Sequence, residues 1–117
     1  MELVFVYGTL RRGHGNHVLL EKSRLVDVGF TENKYAMYAT GIPFVNDEEE
    51  VSRIFGEVYE VSPSRLKLLD TLEGHPSWYQ RKKVTILGNV KNHKAWLYFN
   101  NDKSGRLIES GDYEERV

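Results

Sequence analysis

The chain has 117 residues, which is enough for one compact domain and too few for two ordinary ones. Hydrophobic residues make up 40% of it and charged residues 28%, a balance typical of globular proteins and not of disordered ones. The formal net charge of -1 provides no basic surface for a phosphate backbone, so a nucleic-acid partner is not expected.

The cysteine count and the apolar pattern narrow the protein class further. The sequence contains no cysteine, which excludes disulfide bonds, thiolate catalysis and cysteine-ligated metals. No apolar stretch approaches the length of a membrane span, and the N-terminus, with Glu2, lacks a signal-like pattern. We therefore expect a cytoplasmic protein that forms one domain over residues 1–117 and does not act at a membrane.

The N-terminal segment changes abruptly from apolar to glycine-containing and basic. Residues 3–6 (LVFV) predict a short strand that is buried on both faces. Gly8 follows, and because glycine has no side chain and tolerates positive φ, the amides after it could approach an anionic ligand closely. The simpler alternative is that Gly8 only forms a turn at the end of a strand.

The next third of the chain favours extended structure. Asn16 is predicted to cap a short helix over residues 17–22. Residues 24–31 and 35–40 predict two strands of a hairpin, joined by a turn at residues 32–34.

Two short segments follow this predicted hairpin. Residues 41–45 form a short run in which Pro43 restricts any strand to an edge or to its first residue. The acidic residues 46–50 predict a solvated loop.

The second half contains the one strong helix signal. A predicted strand over residues 52–61, with a possible bulge at Gly56, leads to Ser62 as N-cap and Pro63 at the first helical position. A leucine stripe and a glycine stop complete the helix signal: Leu66, Leu69 and Leu72, widened by Leu68, and then Gly74. Two more strands are predicted at residues 78–87 and 94–99, connected through Gly88 and Asn89.

Strands outnumber helices, which predicts an α+β fold. An antiparallel or mixed, strongly curved, barrel-like sheet with one main helix and a short second helix is the simplest way to bury so many two-sided strands.

Glu73 is the candidate for chemistry. It lies with Asp70 in the last turn of the predicted helix, where the macrodipole disfavours acids. Unpaired helix carbonyls and partial burial beside Leu72 are expected to raise its pKa towards the range of a general base. Taken alone, however, a glutamate near a helix end is more often a solvated surface residue.

Two motifs that lie far apart in the sequence together favour a functional role for Glu73 over a solvated surface position. The segment YGTLRRG at residues 7–13, the segment LDTLEG at residues 69–74, and Tyr79 resemble the γ-glutamyl cyclotransferase-like family, in particular its AIG2-like and γ-glutamylamine cyclotransferase members. The resemblance implies the family's small mixed barrel and a reaction without a cofactor.

The resemblance also implies the roles of individual residues. Glu73 would be the acid/base residue in cyclisation of a γ-glutamyl amine or γ-glutamyl amino acid to 5-oxoproline. Tyr79 and, near the C-terminus, Tyr113 would border the site. The segment that would cradle the γ-glutamyl group is Tyr7, Gly8, Thr9 and Leu10, whose amides would hold either the substrate carboxylate or the developing oxyanion.

The sequence alone leaves several interpretations of other residues open. Arg11 and Arg12 offer guanidinium groups for a substrate carboxylate, although at least one of two adjacent side chains is expected to face solvent. The acidic segment, if it bordered the leaving-group pocket, would favour an amine-bearing group. The scattered histidines predict no metal site, and no serine hydrolase motif is present. The alternative to an enzyme is a non-catalytic module that binds a small molecule on the same fold.

Overall fold

A computed structural model describes residues 1–113 of the chain. Its elements, in chain order, are β1 (Glu2–Val6), a 3-10 helix (Gly15–Leu20), β2 (Arg24–Ala39), β3 (Pro43–Asn46), β4 (Ser52–Val61), α1 (Pro63–Glu73), β5 (Gln80–Gly88), β6 (Asn92–Phe99) and β7 (Arg106–Leu107).

Five of the strands close into a barrel in the order β2-β4-β1-β6-β5, and β5 pairs again with β2. The β1–β6 pair is parallel and the other pairs are antiparallel, so the sheet is mixed. The strands β3 and β7 flank the second half of β2. The predicted α+β barrel with one main helix and a short second helix is confirmed.

Alternate residues of the strands build two cores. Phe5 packs inside the barrel with residues from the surrounding strands. Val4 and Val6 of the same strand face outward and pack with Leu66 and Leu69 of α1. Because β1 contributes to both cores, its residues 4–6 are buried on both faces, as the apolar run predicts.

Helix α1 begins and ends where its sequence signals place it. Ser62 accepts a hydrogen bond from the Arg65 amide at 3.1 Å, and Gly74 adopts the left-handed conformation at the C-terminus. The buried stripe is narrower than predicted, because Leu68 and Leu72 are 52% and 39% exposed.

The predicted hairpin at residues 24–40 is wrong. Strand β2 continues through 16 residues and pairs with β4 on both sides of a register shift between Phe30 and Lys34. The Thr31 hydroxyl donates to the Asn33 carbonyl and accepts from the Ile54 amide, which stabilises an irregularity where a turn is predicted. The strand therefore bends around the barrel and does not reverse.

Three smaller predictions also need correction. Gly56 pairs with Gly29 without a register shift, and the residue is required because a Cβ there would lie 2.4 Å from the Val6 carbonyl oxygen. The short helix begins at Gly15, and Asn16 lies inside it and does not cap it. Asn46, predicted to be solvated, is fully buried and ends β3.

The remaining strands agree with the sequence more closely. Pro43 is the first residue of β3, and residues 80–88 and 92–99 form the predicted pair of strands. Strand β7 is not predicted. In residues 1–113, no helix has the length and apolar character needed to cross a membrane.

Candidate active site

A cavity of about 160 Å³ lies between the barrel and the C-terminal end of α1. The segment after β1, the start of β3, the end of α1 and the turn before β5 all contribute to its wall. The lining residues are Phe5, Val6, Tyr7, Gly8, Thr9, Leu10, Asn16, Ile42, Pro43, Leu72, Glu73, Trp78, Tyr79 and Tyr98. The cavity thus unites the two distant segments that the sequence analysis singles out.

One wall of the cavity is a tight turn after β1. The Arg11 amide donates to the Gly8 carbonyl at 3.0 Å, which closes the turn. In the described part of the chain, the amides of Gly8, Thr9 and Leu10 donate to no acceptor. This wall therefore carries N–H groups that are available to a ligand.

The 3-10 helix holds this turn from behind. The Asn16 side-chain amide donates to the Thr9 hydroxyl at 3.0 Å, and its backbone amide donates to the Thr9 carbonyl at 3.1 Å. His17 Nδ1 lies 2.9 Å from the Leu10 carbonyl oxygen. The backbone of the turn is thus fixed before any ligand binds.

Gly8 is needed for space and not for a special backbone conformation. Gly8 does not use its tolerance of positive φ, because the glycines with positive φ in residues 1–113 are Gly13, Gly41, Gly74, Gly105 and Gly111. A Cβ at Gly8 would lie 2.6 Å from Cγ of Pro43, which is closer than side-chain packing allows. The missing side chain lets β3 approach the turn and narrows the cavity.

Glu73, the last residue of α1, is a half-buried lining residue. Burial raises the pKa of its carboxyl from 4.5 to about 7, which confirms the predicted direction. The expected contribution of unpaired helix carbonyls is wrong, since the carbonyls of Asp70 and Thr71 accept from the amides of His75 and Gly74. Near neutral pH the carboxyl can both accept and donate a proton.

Asp70 lies one turn before Glu73 and has the opposite electrostatic environment. Burial acts to raise its pKa, but hydrogen bonds from Arg81 at 2.8 and 3.1 Å and from the Tyr98 hydroxyl at 2.6 Å lower it below its ordinary value. Asp70 therefore stays charged near neutral pH and anchors the helix end, and Glu73 is the acid that titrates near neutrality.

Buried tyrosines form much of the remaining wall. The Tyr7 hydroxyl donates to the Tyr98 carbonyl at 2.7 Å, and the Tyr79 hydroxyl donates to the Pro43 carbonyl at 2.8 Å. Burial, with the charge of Glu73 adding to it, raises the pKa of both phenols above 10. Both hydroxyls thus stay protonated, with their protons committed to backbone carbonyls.

The other sequence candidates lie outside the cavity wall. Tyr113 donates from its hydroxyl to the Gly41 carbonyl at 2.9 Å, next to the lining residue Ile42. Arg11 is buried and pairs with Asp112 at 2.9 Å, whereas Arg12 is 65% exposed beside Glu57.

The acidic segment after β3 also lies away from the cavity. Its carboxylates Asp47 and Glu48 pair with Lys82 and Lys103, and none of its residues lines the wall. The acidic segment therefore does not border the cavity, and its charge gives no reason to expect an amine-bearing leaving group.

Sequence reasoning missed four contributors to the wall. They are Asn16 as a brace, Pro43 as a space-filling neighbour of Gly8, Tyr98 as a wall residue, and Trp78. None of the four carried a clear sequence signal, and Trp78 in particular is a residue type that is common in strands. In residues 1–113, no group of three or more metal-ligating side chains is placed to hold a metal ion.

Comparison with known proteins then identifies the family. Residues 4–115 match the sequence profile described as gamma-glutamyl cyclotransferase, AIG2-like. The chain belongs to this family. A provisionally named gamma-glutamylcyclotransferase of Methanocaldococcus jannaschii is 52% identical over 98% of both chains. Gamma-glutamylaminecyclotransferase B of Danio rerio is 37% identical over 84% of this chain and 59% of its own length.

The fold of this cyclotransferase also has solved counterparts. The crystal structure of a mouse AIG2-like protein superposes with a TM-score of 0.83 at 26% identity, over 97% of this chain and 88% of the mouse chain. The protein is thus a cyclotransferase-family enzyme, and its cavity joins the two segments on which the family resemblance rests.

Proposed function

We propose that this enzyme converts a γ-glutamyl amine or γ-glutamyl amino acid to 5-oxoproline and releases the amine, with Glu73 as general acid/base. The observation that carries this proposal is the sharing of one cavity by the Glu73 carboxyl, with its pKa of about 7, and the amides of Gly8 to Leu10, which have no other acceptor in residues 1–113.

The reaction needs little besides positioning and a proton path. The α-amine of the substrate attacks its own γ-carbonyl carbon, a C–N bond forms and closes a five-membered ring, and the amide bond to the leaving group breaks. Because nucleophile and electrophile belong to one molecule, much of the entropic cost of reaction is already met. The α-ammonium loses two protons as it becomes the ring amide; Glu73 accepts them in turn and passes them to the departing nitrogen, which leaves as an ammonium group.

The turn after β1 supplies the polar half of the site. Backbone N–H groups bind a carboxylate or a developing oxyanion without adding a charged side chain to the cavity. Asn16 and His17 fix this turn in advance, so its donors lose little order when the substrate binds. Tyr7 and Tyr79 close the cavity around the glutamyl group, and Tyr113 supports the β3 side through Gly41.

The test measures 5-oxoproline from a panel of γ-glutamyl amino acids and γ-glutamyl amines. Replacing Glu73→Gln keeps the shape and removes the titrating proton, so kcat should fall by about 100-fold or more. Glu50→Gln, a change at an exposed glutamate, is the matched control and should leave kcat unchanged.

Three results would contradict parts of the proposal in different ways. Equal turnover by Glu73→Gln would remove Glu73 from the mechanism. Binding of the panel by both proteins without product would indicate a non-catalytic binding module. Product other than 5-oxoproline would refute ring closure.

A further inference from the structure

We infer that the leaving group of the preferred substrate is an apolar or aromatic amine without a carboxylate, and that Trp78 selects it at the cavity mouth. This inference rests on the proposed function and names the part of the substrate that the chemistry leaves undefined. It follows from the charges of the wall, from the direction of the opening, and from the packing of one exposed tryptophan.

The wall contains no cation for a second carboxylate. Glu73 is the single charged residue among the lining side chains of residues 1–113. Of the arginines that flank the lining segments, Arg11 pairs with Asp112, Arg81 pairs with Asp70, and Arg12 is 65% exposed at 3.8 Å from Glu57; none of the three lines the cavity. An α-amino acid leaving group would bring its carboxylate near Glu73 without a compensating charge.

Burial of the wall residues shows which end of the substrate lies at the mouth. Tyr7, Leu10 and Tyr79 are 6% exposed or less and form the closed end, together with the turn amides. Leu72 and Trp78 are 39% and 53% exposed and form the open end. Since the glutamyl group needs the turn amides, the amine on the far side of the scissile bond lies against Leu72 and Trp78.

The cavity volume agrees with this division of the substrate. About 160 Å³ is well below the roughly 300–1,000 Å³ of sites that enclose drug-sized ligands. A compact glutamyl group can be enclosed, and a longer amine must extend to the mouth. Its contacts there are made with apolar side chains.

Trp78 is held in place although half of it is exposed. Its amide donates to the Gly74 carbonyl at 2.8 Å, and its ring packs edge-on against Tyr79 at 5.1 Å and Phe44 at 6.2 Å between centroids. A large exposed aromatic ring that is fixed by packing offers a ready binding surface, because little side-chain entropy is lost when a ligand covers it. The amide of its neighbour Tyr79 donates to the Glu73 carbonyl at 3.2 Å, and Trp78 and Glu73 both line the cavity.

The decisive experiment uses three γ-glutamyl compounds. The γ-phenethylamide and γ-glutamylphenylalanine differ by one carboxylate, and the γ-methylamide lacks a side group for Trp78 to contact. We expect kcat/KM for the phenethylamide to exceed that for γ-glutamylphenylalanine about tenfold or more. Trp78→Ala should raise KM for the phenethylamide about tenfold with a much smaller change in kcat, and should raise KM for the methylamide far less.

Two control variants test whether the effect of Trp78→Ala comes from loss of the aromatic ring and not from unfolding. Trp78→Phe keeps an aromatic ring and should recover most of the phenethylamide preference. Leu68→Ala removes an exposed leucine of the same helix that does not line the cavity, and it should change none of the three reactions.

A binding measurement separates this inference from the proposed function. In the Trp96→Phe protein, which keeps Glu73, Trp78 is the remaining tryptophan, and quenching of its fluorescence by the glutaryl analogues of the two compounds, which lack the attacking α-amine, reports binding without turnover. Tighter binding of the phenethylamide analogue than of the phenylalanine analogue supports the inference even if no 5-oxoproline forms. Equal use and equal binding of the two compounds, or an equal effect of Trp78→Ala on all three, would overturn it while leaving ring closure intact.

Discussion

Removing the Glu73 charge should make the protein more stable as well as inactive. The carboxyl has a pKa of about 7 in the folded chain against 4.5 ordinarily, because burial disfavours its charged form. The folded state therefore holds this proton more tightly than the unfolded state. The corresponding stability is present below pH 4.5 and is lost as the pH rises through 7. Glu73→Gln, which cannot ionise, should not lose it.

The expected gain follows from the difference between the two pKa values. At about 1.4 kcal/mol per pH unit, ionisation of Glu73 lowers the free energy of unfolding by about 3 kcal/mol. The side chain is half-buried, and solvent screening reduces the expected value to about 2 kcal/mol. In a chain of this size, that corresponds to a rise in Tm of about 10 °C at alkaline pH.

Urea unfolding of the wild type and Glu73→Gln between pH 5 and pH 8 measures this effect. The difference in free energy of unfolding between the two proteins should widen by about 1.5 kcal/mol over that range, because about a quarter of the effect is already present at pH 5 and nearly all of it is complete by pH 8. Glu50→Gln, at an exposed position, should show a constant difference. A constant difference for Glu73→Gln as well would refute the argument that burial perturbs its carboxyl.

Three further predictions concern the same molecule. The value of kcat/KM for 5-oxoproline formation should rise with pH about a midpoint near 7, because the ionised Glu73 is the base; a flat profile from pH 5 to 9 would contradict this assignment. Gly8→Ala should lower the free energy of unfolding by about 1–3 kcal/mol and lower kcat/KM, because the new Cβ would lie 2.6 Å from Cγ of Pro43. As a control, Gly15→Ala adds a Cβ in open space and should leave the thermal unfolding midpoint nearly unchanged. Asp27→Asn should lower the free energy of unfolding in urea by about 3 kcal/mol and have little effect on kcat. The reason is that this buried carboxylate accepts hydrogen bonds from four backbone amides of the Gly88–Lys91 turn and β2, and also pairs with His93. An unchanged unfolding midpoint would show that the network adds no stability.

Local signals in the sequence were sufficient for the elements that carry the catalytic acid. Ser62, Pro63 and Gly74 act within one or two residues of themselves, so the bounds of α1 follow from them. The same is true of Pro43 at the start of β3. These features depend on backbone chemistry that a single sequence displays.

The errors arise where distant segments decide the structure. The turn predicted at residues 32–34 is a bend in β2, because β4 supplies hydrogen bonds on both sides of it, including the Ile54 amide. Gly8 and Gly56 were read as conformational glycines, but neighbours that are far away in the chain, Pro43 and Phe5, exclude a side chain there. Such steric demands are invisible until the fold is known.

The active site likewise combines features that local sequence predicts with features that depend on distant segments. The sequence predicts the raised pKa of Glu73 through its expected partial burial beside Leu72, but it does not predict the difference from Asp70, because Arg81 and Tyr98 come from later strands. The mouth residue Trp78 was likewise outside the prediction, since its role depends on which way the cavity opens.

The ion pair of Asp70 with Arg81 has a consequence for how this protein can change over time. It fastens the final turn of α1 to β5 independently of the helix's first turns, which are held by their own cap. Mutations that loosen the beginning of the helix should therefore lower the free energy of unfolding without moving the Glu73 carboxyl. Related sequences could thus vary at the N-terminal end of this helix while the position of the acid at its C-terminal end stayed constant.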